Sequence, residues 1–206
     1  VEIISGQSFS EFLGERIFEP LDMSDTSFTI SDEKVPRLAA NYERDQGKNL
    51  VLIDDPVESI YADTRRLQSG GGGLLSTTAD YAKFCEMLLG GGKYNGCRII
   101  GDRTLKMMCQ NHLPMNSDLA SVAMGSFSET AYEGVGFGLG FASTLSEVKA
   151  HILGEGDFYW GGMASTIFWV DPRERMFCVF MTQMVPSGTF NFRGQLKSIV
   201  YSAIED

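Results

Sequence analysis

The chain has 206 residues, enough for one large domain or two small ones. Its hydrophobic content of 43% and charged content of 21% are ordinary for a soluble globular protein. The formal net charge of −10 argues against nucleic acid and against an anionic membrane surface as partners, because both require a basic face. No stretch approaches the ~20 apolar residues of a membrane span.

The cysteine and histidine content argues against a metal site. Only two histidines are present, and no pair of cysteines has the C-x-x-C spacing of a metal or redox motif. We therefore expect no metal or cofactor, and buried reduced thiols favour a cytoplasmic location. The chain opens at Val1 as if inside an element already under way, so we expect that residue 1 is not the biological start.

Helices and loops are predicted for residues 1–134. Ser8 and Glu11 fit a capping box at the start of a first helix. Thr77 or Thr78 caps a second helix, and Asp102 caps a third.

The remainder of residues 1–134 lacks sustained periodicity. Residues 20–68 are predicted to be mostly irregular, and residues 113–134 to form a loop. The glycine run 70–73 has no Lys-Ser/Thr at P-loop spacing, so a flexible entry to the second helix is favoured over a phosphate cradle.

After residue 134 the sequence pattern becomes typical of β-strands. Strands are predicted at 135–145, 149–153, 161–170 and 176–184, and a closing helix at 193–204. Residues 135–206 are thus antiparallel strands plus a C-terminal helix, and both regions form one domain. The fold class is α+β, with an antiparallel sheet flanked by helices.

Trp160-Gly161-Gly162 is the most informative motif, because it stands where a strand meets two glycines. One interpretation is a bulge or barrel corner. The other is a substrate-facing strand whose free N–H groups bind an oxyanion.

The motifs occur together in an ordered series. In chain order they are Ser5-Gly-Gln-Ser-Phe9, Ile17-Phe-Glu-Pro-Leu-Asp-Met-Ser-Asp-Thr-Ser-Phe28, Ser69-Gly-Gly-Gly-Gly-Leu-Leu-Ser-Thr-Thr-Ala-Asp-Tyr81, Phe137-Gly-Leu-Gly-Phe141, Trp160-Gly-Gly162 and Trp169-Val-Asp-Pro172. This series resembles the C-terminal half of the serine β-lactamase-like family, which includes class C β-lactamases and penicillin-binding-protein-like esterases. Asp22 departs from the family's usual glycine, but Asp tolerates the left-handed conformation that this turn requires.

The resemblance implies a serine hydrolase whose active site needs three motifs. Trp160-Gly161-Gly162 matches the third, and the Ser-x-x-Lys and tyrosine motifs are expected to precede Val1. The Ser-x-x-Lys matches at Ser31 and Ser146 lie in polar loop sequence, which does not lower a lysine pKa, so we interpret both as structural. This chain alone is therefore predicted to be inactive.

The resemblance also implies roles for particular residues. The backbone N–H of Met163 would donate to the oxyanion, and Trp160, Gly161 and Gly162 would contact substrate. Trp160 replaces a β-lactamase lysine with an uncharged wall, which favours small-molecule esters over β-lactams. Tyr159 and Phe141 extend that wall or belong to the core.

Two further expectations follow from the resemblance. The N-terminal half of the same protein, or a copy of this chain, covers the edge of the strand predicted at 176–184. A transesterase of the same family, or a non-catalytic fragment or binding module, are the alternatives to a hydrolase.

Overall fold

The computed structural model describes residues 1–123 and 132–205. The helices are α1 (Glu2–Ser5), α2 (Phe9–Leu13), α3 (Thr78–Leu89), α4 (Asp102–Cys109), α5 (Leu119–Val122), α6 (Glu147–Ala150) and α7 (Phe192–Ser202). The strands are β1 (Asn41–Arg44), β2 (Leu50–Asp54), β3 (Lys93–Tyr94), β4 (Cys97–Arg98), β5 (Val135–Phe137), β6 (Ala142–Thr144), β7 (Phe158–Gly161), β8 (Ile167–Asp171), β9 (Met176–Phe180) and β10 (Met184–Val185).

A five-stranded antiparallel sheet in the order β5-β6-β7-β8-β9 is the centre of the fold. Side chains alternate between its two faces. Phe168 and Val170 of β8 pack in one core cluster with Cys85 and Leu88 of α3. Trp169 points the other way and packs in a second cluster against α7. The predicted α+β class, an antiparallel sheet flanked by helices, is confirmed.

The helix starts follow the predicted caps with one exception. Ser8 and Glu11 form the expected capping box, and the Thr77 hydroxyl caps α3 by accepting a hydrogen bond from the Asp80 N–H at 3.1 Å. The predicted cap at Asp102 is wrong by one position, because Gly101 takes the extended cap conformation. The first helix continues past α2 as a π-helical turn, Gly14–Phe18.

Several predicted strands are wrong in extent. The segment predicted at 149–153 is not a strand; Ser146 caps the short helix α6 and His151 ends it in a left-handed conformation. The segments predicted as single strands at 135–145 and 161–170 each contain a turn, which divides the first into β5 and β6 and separates β7 from β8. Hydrophobic alternation continues through a tight turn, so it does not reveal the break.

Residues 20–68 contain more structure than their sequence predicts. β1 and β2 form an antiparallel hairpin, and β1 also pairs in parallel with β10 through Tyr42 and Met184. Asp22 has the left-handed φ of 55° that its place in the turn requires. Of the loop predicted at 113–134, residues 124–131 lie outside the described residues. No helix within 1–123 or 132–205 has the length and apolarity to cross a membrane.

β9 lies at one edge of the five-stranded sheet, where it pairs with β8. Its residues, Met176-Phe-Cys-Val-Phe180, are all apolar and only half buried. The strand predicted at 176–184 thus ends at Phe180, and an apolar strand with an open edge readily pairs with another strand.

Candidate active site

The Trp160-Gly161-Gly162 motif spans the end of β7 and the start of the β7–β8 turn. On one side Trp160 is paired with Phe168 and Gly161 with Ile167 of β8. On the other side β6 pairs only with Phe158 and Tyr159. The motif therefore begins where the second edge of β7 becomes open.

The hydrogen-bond pattern shows which backbone groups face this open edge. The Gly162 N–H donates to the Thr166 carbonyl across the hairpin at 3.0 Å. Successive residues of a strand direct their N–H and C=O groups to opposite sides. Gly161 therefore directs its N–H and C=O away from β8, towards the open edge.

A tight turn follows, with Met163 and Ala164 at its two central positions. The Ser165 N–H donates to the Gly162 carbonyl at 3.1 Å, which closes the turn. Ser165 has a left-handed φ of 68°, and its buried hydroxyl donates to the Met184 carbonyl at 2.6 Å. The Met184 N–H in turn donates to the Ala164 carbonyl at 3.1 Å, so β10 holds the turn from behind.

The Met163 N–H has no hydrogen-bond acceptor within residues 1–123 and 132–205. The Met163 residue is 67% exposed. Its peptide bond is trans, since the one cis bond in the described part of the chain is Val185–Pro186. In a trans peptide the N–H points opposite to the carbonyl, and the Gly162 carbonyl faces into the turn. The Met163 N–H therefore points outward and is available to a ligand.

Neighbouring side chains leave no room for a Cβ at Gly161 or Gly162. A Cβ on Gly161 would lie 2.5 Å from the guanidinium carbon of Arg193, and a Cβ on Gly162 would overlap the Thr166 hydroxyl. Arg193, on the first turn of α7, donates through Nη2 to the Gly162 carbonyl at 2.8 Å and to the Thr166 carbonyl at 3.3 Å. The glycines thus let a cation lie directly beneath the turn.

Trp160 lies on the face of the sheet opposite to Arg193. Its side chain is on the α3 face, with the indole edge-on to the Phe137 ring at 5.0 Å between centroids. The residue remains 42% exposed, so part of its apolar surface is open to solvent on this face, three positions before Met163 in the chain.

The structure places the other two predicted wall residues differently. Phe141 is buried in the core, with its ring 5.2 Å from that of Phe158. Tyr159 points to the α7 face, where the Lys197 ammonium lies 5.0 Å from its ring centroid. Burial raises the pKa of the Tyr159 hydroxyl well above its usual range, so this tyrosine stays neutral. Phe141 therefore packs in the core on the same face of the sheet as Trp160, and Tyr159 packs on the opposite face.

A buried ion pair fixes the start of β7. Lys197 of α7 pairs with Asp157, which also accepts a hydrogen bond from the Thr144 hydroxyl at 2.7 Å. Asp157 is fully buried, and this burial raises its pKa. Neither Lys197 nor Arg193 stands in a recognisable motif, and helical periodicity alone places both in a closing helix without showing that they reach β7.

The two Ser-x-x-Lys matches lie elsewhere and have structural surroundings. Ser146 caps α6, and its hydroxyl accepts the Lys149 N–H. Ser31 precedes the short 3₁₀ helix Asp32–Arg37 and does not cap it through its side chain, and Lys34 forms an ion pair with Asp25. A separate cleft of ≈ 510 Å³ lies between α2 and residues 22–29, and none of its lining residues belongs to the 160–163 segment.

The chain belongs to the Beta-lactamase family, whose model matches residues 1–198. It is 28% identical over 180 residues to Protein Rv1367c of Mycobacterium tuberculosis, covering 85% of this chain and 43% of that protein. It is 29% identical over 189 residues to the lovastatin esterase of Penicillium rubens, covering 86% of this chain and 45% of the esterase. The chain thus spans less than half the length of these curated relatives.

Solved structures show the same fold. The chain superposes with a TM-score of 0.77 on EstCE1, a hydrolase with promiscuous acyltransferase activity, at 24% identity over 97% of this chain and 52% of that one. The TM-score is 0.71 with unliganded simvastatin synthase (LovD) of Aspergillus terreus, at 21% identity over 90% of this chain and 46% of the synthase. The predicted β-lactamase/transpeptidase-like fold is confirmed.

Proposed function

We propose that this chain is the C-terminal part of a serine hydrolase that cleaves carboxylic esters through an acyl-enzyme, and that it supplies the oxyanion and substrate strand. The free, outward N–H of Met163 beside an open strand edge is the observation that carries the proposal. Such a donor stabilises charge that develops on a carbonyl oxygen in the transition state.

The chemistry requires a serine on polypeptide outside this chain. Its hydroxyl oxygen adds to the ester carbonyl carbon, and the C–O bond to the alcohol breaks as the alcohol takes up the serine's proton. Water then cleaves the acyl-serine, which releases the acid and restores the hydroxyl. In both steps the carbonyl oxygen becomes negative. It then accepts one hydrogen bond from the Met163 N–H and another from a donor on polypeptide outside this chain.

Substrate preference follows from Trp160. An indole offers apolar area but no cation, so it supports an ester acyl group better than the carboxylate of a β-lactam. The names of two relatives, an esterase and a hydrolase with acyltransferase activity, agree with this preference. The complete protein should hydrolyse nitrophenyl acetate faster than a chromogenic cephalosporin. Faster hydrolysis of the cephalosporin would refute the preference inferred from Trp160.

The oxyanion role is tested by Met163→Pro in the complete protein. Proline suits the first central position of a tight turn and lacks the N–H, so the substitution removes the donor while keeping the turn. We expect turnover to fall ~10²–10³-fold. Met163→Ala keeps the N–H and is the matched control, expected to retain activity. Equal turnover by the proline and alanine variants would refute the proposal.

A transesterase is the second candidate, because relatives include a simvastatin synthase and a hydrolase with acyltransferase activity. Adding a primary alcohol to the ester assay separates the two: a transesterase gives mainly the new ester, and a hydrolase mainly the acid. A non-catalytic fragment or binding module is the outcome if a fluorophosphonate probe labels no serine of the complete protein.

The proposal includes a partner for β9. We assign its open edge to strands from the N-terminal half of the same protein, because the chain covers only about half of its relatives. Those backbone amides of Met176–Phe180 that face away from β8 should then exchange slowly with deuterium in the complete protein. Fast exchange there would exclude both that half and a second copy as the cover.

A further inference from the structure

We propose that Arg193 is a positioning residue for the oxyanion donor, acting through the Gly162–Met163 peptide; this inference rests on the proposed function. The guanidinium binds the carbonyl end of the same peptide group whose N–H end is free at Met163. Because the two ends of a peptide group are coupled by resonance, a cation at the oxygen increases the positive charge at the N–H.

The geometry limits where the N–H can point. Arg193 Nη2 contacts the Gly162 carbonyl at 2.8 Å and the Thr166 carbonyl at 3.3 Å, one on each side of the turn. The peptide plane cannot rotate without breaking the first of these bonds, which is charge-assisted and therefore stronger than a neutral one. The Met163 N–H is thus held in the outward direction before any substrate arrives.

The charge of Arg193 is also available to the site. No carboxylate of residues 1–123 or 132–205 forms an ion pair with it, and its buried Nε has no partner there. A half-buried cation without a counter-ion produces a positive field at the turn. That field favours an oxyanion over a neutral carbonyl, which is the difference that speeds a reaction.

A variant without Arg193 should still fold, because a second hydrogen bond closes the turn. The Ser165 N–H also donates to the Gly162 carbonyl, at 3.1 Å, and this bond remains when the guanidinium is absent. Loss of Arg193 should therefore weaken the donor without removing it.

The test uses Arg193→Met in the complete protein, with Arg173→Met as matched control. Arg173 also donates to a backbone carbonyl, that of Glu155 at 2.9 Å, but this carbonyl lies in a turn that is no part of the site. We expect kcat for a nitrophenyl ester to fall about tenfold in the Arg193 variant, a part of the loss caused by deleting a donor, with KM within about twofold. The control should match wild type.

Two spectroscopic measurements report the polarisation of the acyl carbonyl and of the Gly162–Met163 peptide group rather than protein stability. The acyl-enzyme carbonyl stretch should move to higher frequency in Arg193→Met, and the ¹⁵N resonance of Met163, from methionine-labelled protein, should move upfield. Wild-type kcat, carbonyl frequency and Met163 resonance in this variant would overturn the inference. Arg193→Gln, which keeps a donor but no charge, gives the same decision if the methionine variant fails to fold. An inactive wild type would instead refute the proposed function, while the Met163 resonance still decides the polarisation.

Discussion

Gly161→Ala offers a quantitative test of the packing between β7 and α7. The added Cβ would lie 2.5 Å from the Arg193 guanidinium carbon and 2.9 Å from its Nε, distances that real Cβ atoms do not tolerate. The φ of Gly161 is not positive, so alanine adds no backbone strain and the effect is steric.

The size of the destabilisation depends on how the structure accommodates the added methyl group. The guanidinium must either be compressed, at about 1–3 kcal/mol for overpacking, or give up its two hydrogen bonds, at about 1.5–3 kcal/mol for each bond to a charged group. The cheaper route prevails, so we expect a loss of about 2 kcal/mol in the free energy of unfolding.

Urea unfolding of the complete protein measures this loss, and a double-mutant cycle assigns its cause. In an Arg193→Ala background the same Gly161→Ala change should cost less than about 0.5 kcal/mol, which gives a coupling near 2 kcal/mol. Gly188→Ala, where an added Cβ meets nothing within 4 Å, is the control. Equal losses at positions 161 and 188, or no coupling to Arg193, would refute the packing argument.

Three further predictions concern other residues. Lys197→Met leaves the buried Asp157 carboxylate without its partner and should cost about 3–5 kcal/mol in urea unfolding, whereas adding Asp157→Asn should restore much of that loss. Hydrogen bonds from the Ser121 side chain and the Gly134 N–H lower the pKa of Asp118 from 3.8 to about 2, so its contribution to stability is present above pH 4 and is lost as the pH falls through 2; Asp118→Asn should remove this dependence, and an unchanged acid unfolding curve would contradict it. Trp160→Lys should raise the ratio of cephalosporin to nitrophenyl acetate turnover in the complete protein, and an unchanged ratio would show that this side chain does not set the preference.

Much of the fold could be predicted because local signals agree with it. The capping box at Ser8 and the cap at Thr77 are short-range hydrogen bonds that sequence spacing reveals directly. The hairpin at 41–54 could not be predicted in this way. Leu50-Val-Leu-Ile53 is a continuous apolar run without polar alternation, although all four residues are exposed in the structure. The pairing of β1 with β10 joins residues about 140 positions apart.

The candidate site was predictable as a motif but not as a geometry. Trp160-Gly161-Gly162 identifies the strand, and the resemblance indicates which N–H we propose as the donor. The direction of that N–H depends on Arg193 and Met184, which are distant in sequence and carry no motif. Tertiary contacts of single residues leave no periodic signal.

The contacts of Met184 and Arg193 with the β7–β8 turn have a consequence for protein engineering. Three separate stretches of chain shape the Met163 peptide: the hairpin itself, β10 through Met184, and α7 through Arg193. Through Tyr42, β10 is further joined to the hairpin at 41–54. Grafting the eight residues 159–166 onto another scaffold would therefore transfer the sequence without the contacts that hold its backbone. Exchange between homologous proteins should carry residues 158–202 together with residues 41–54 as one block.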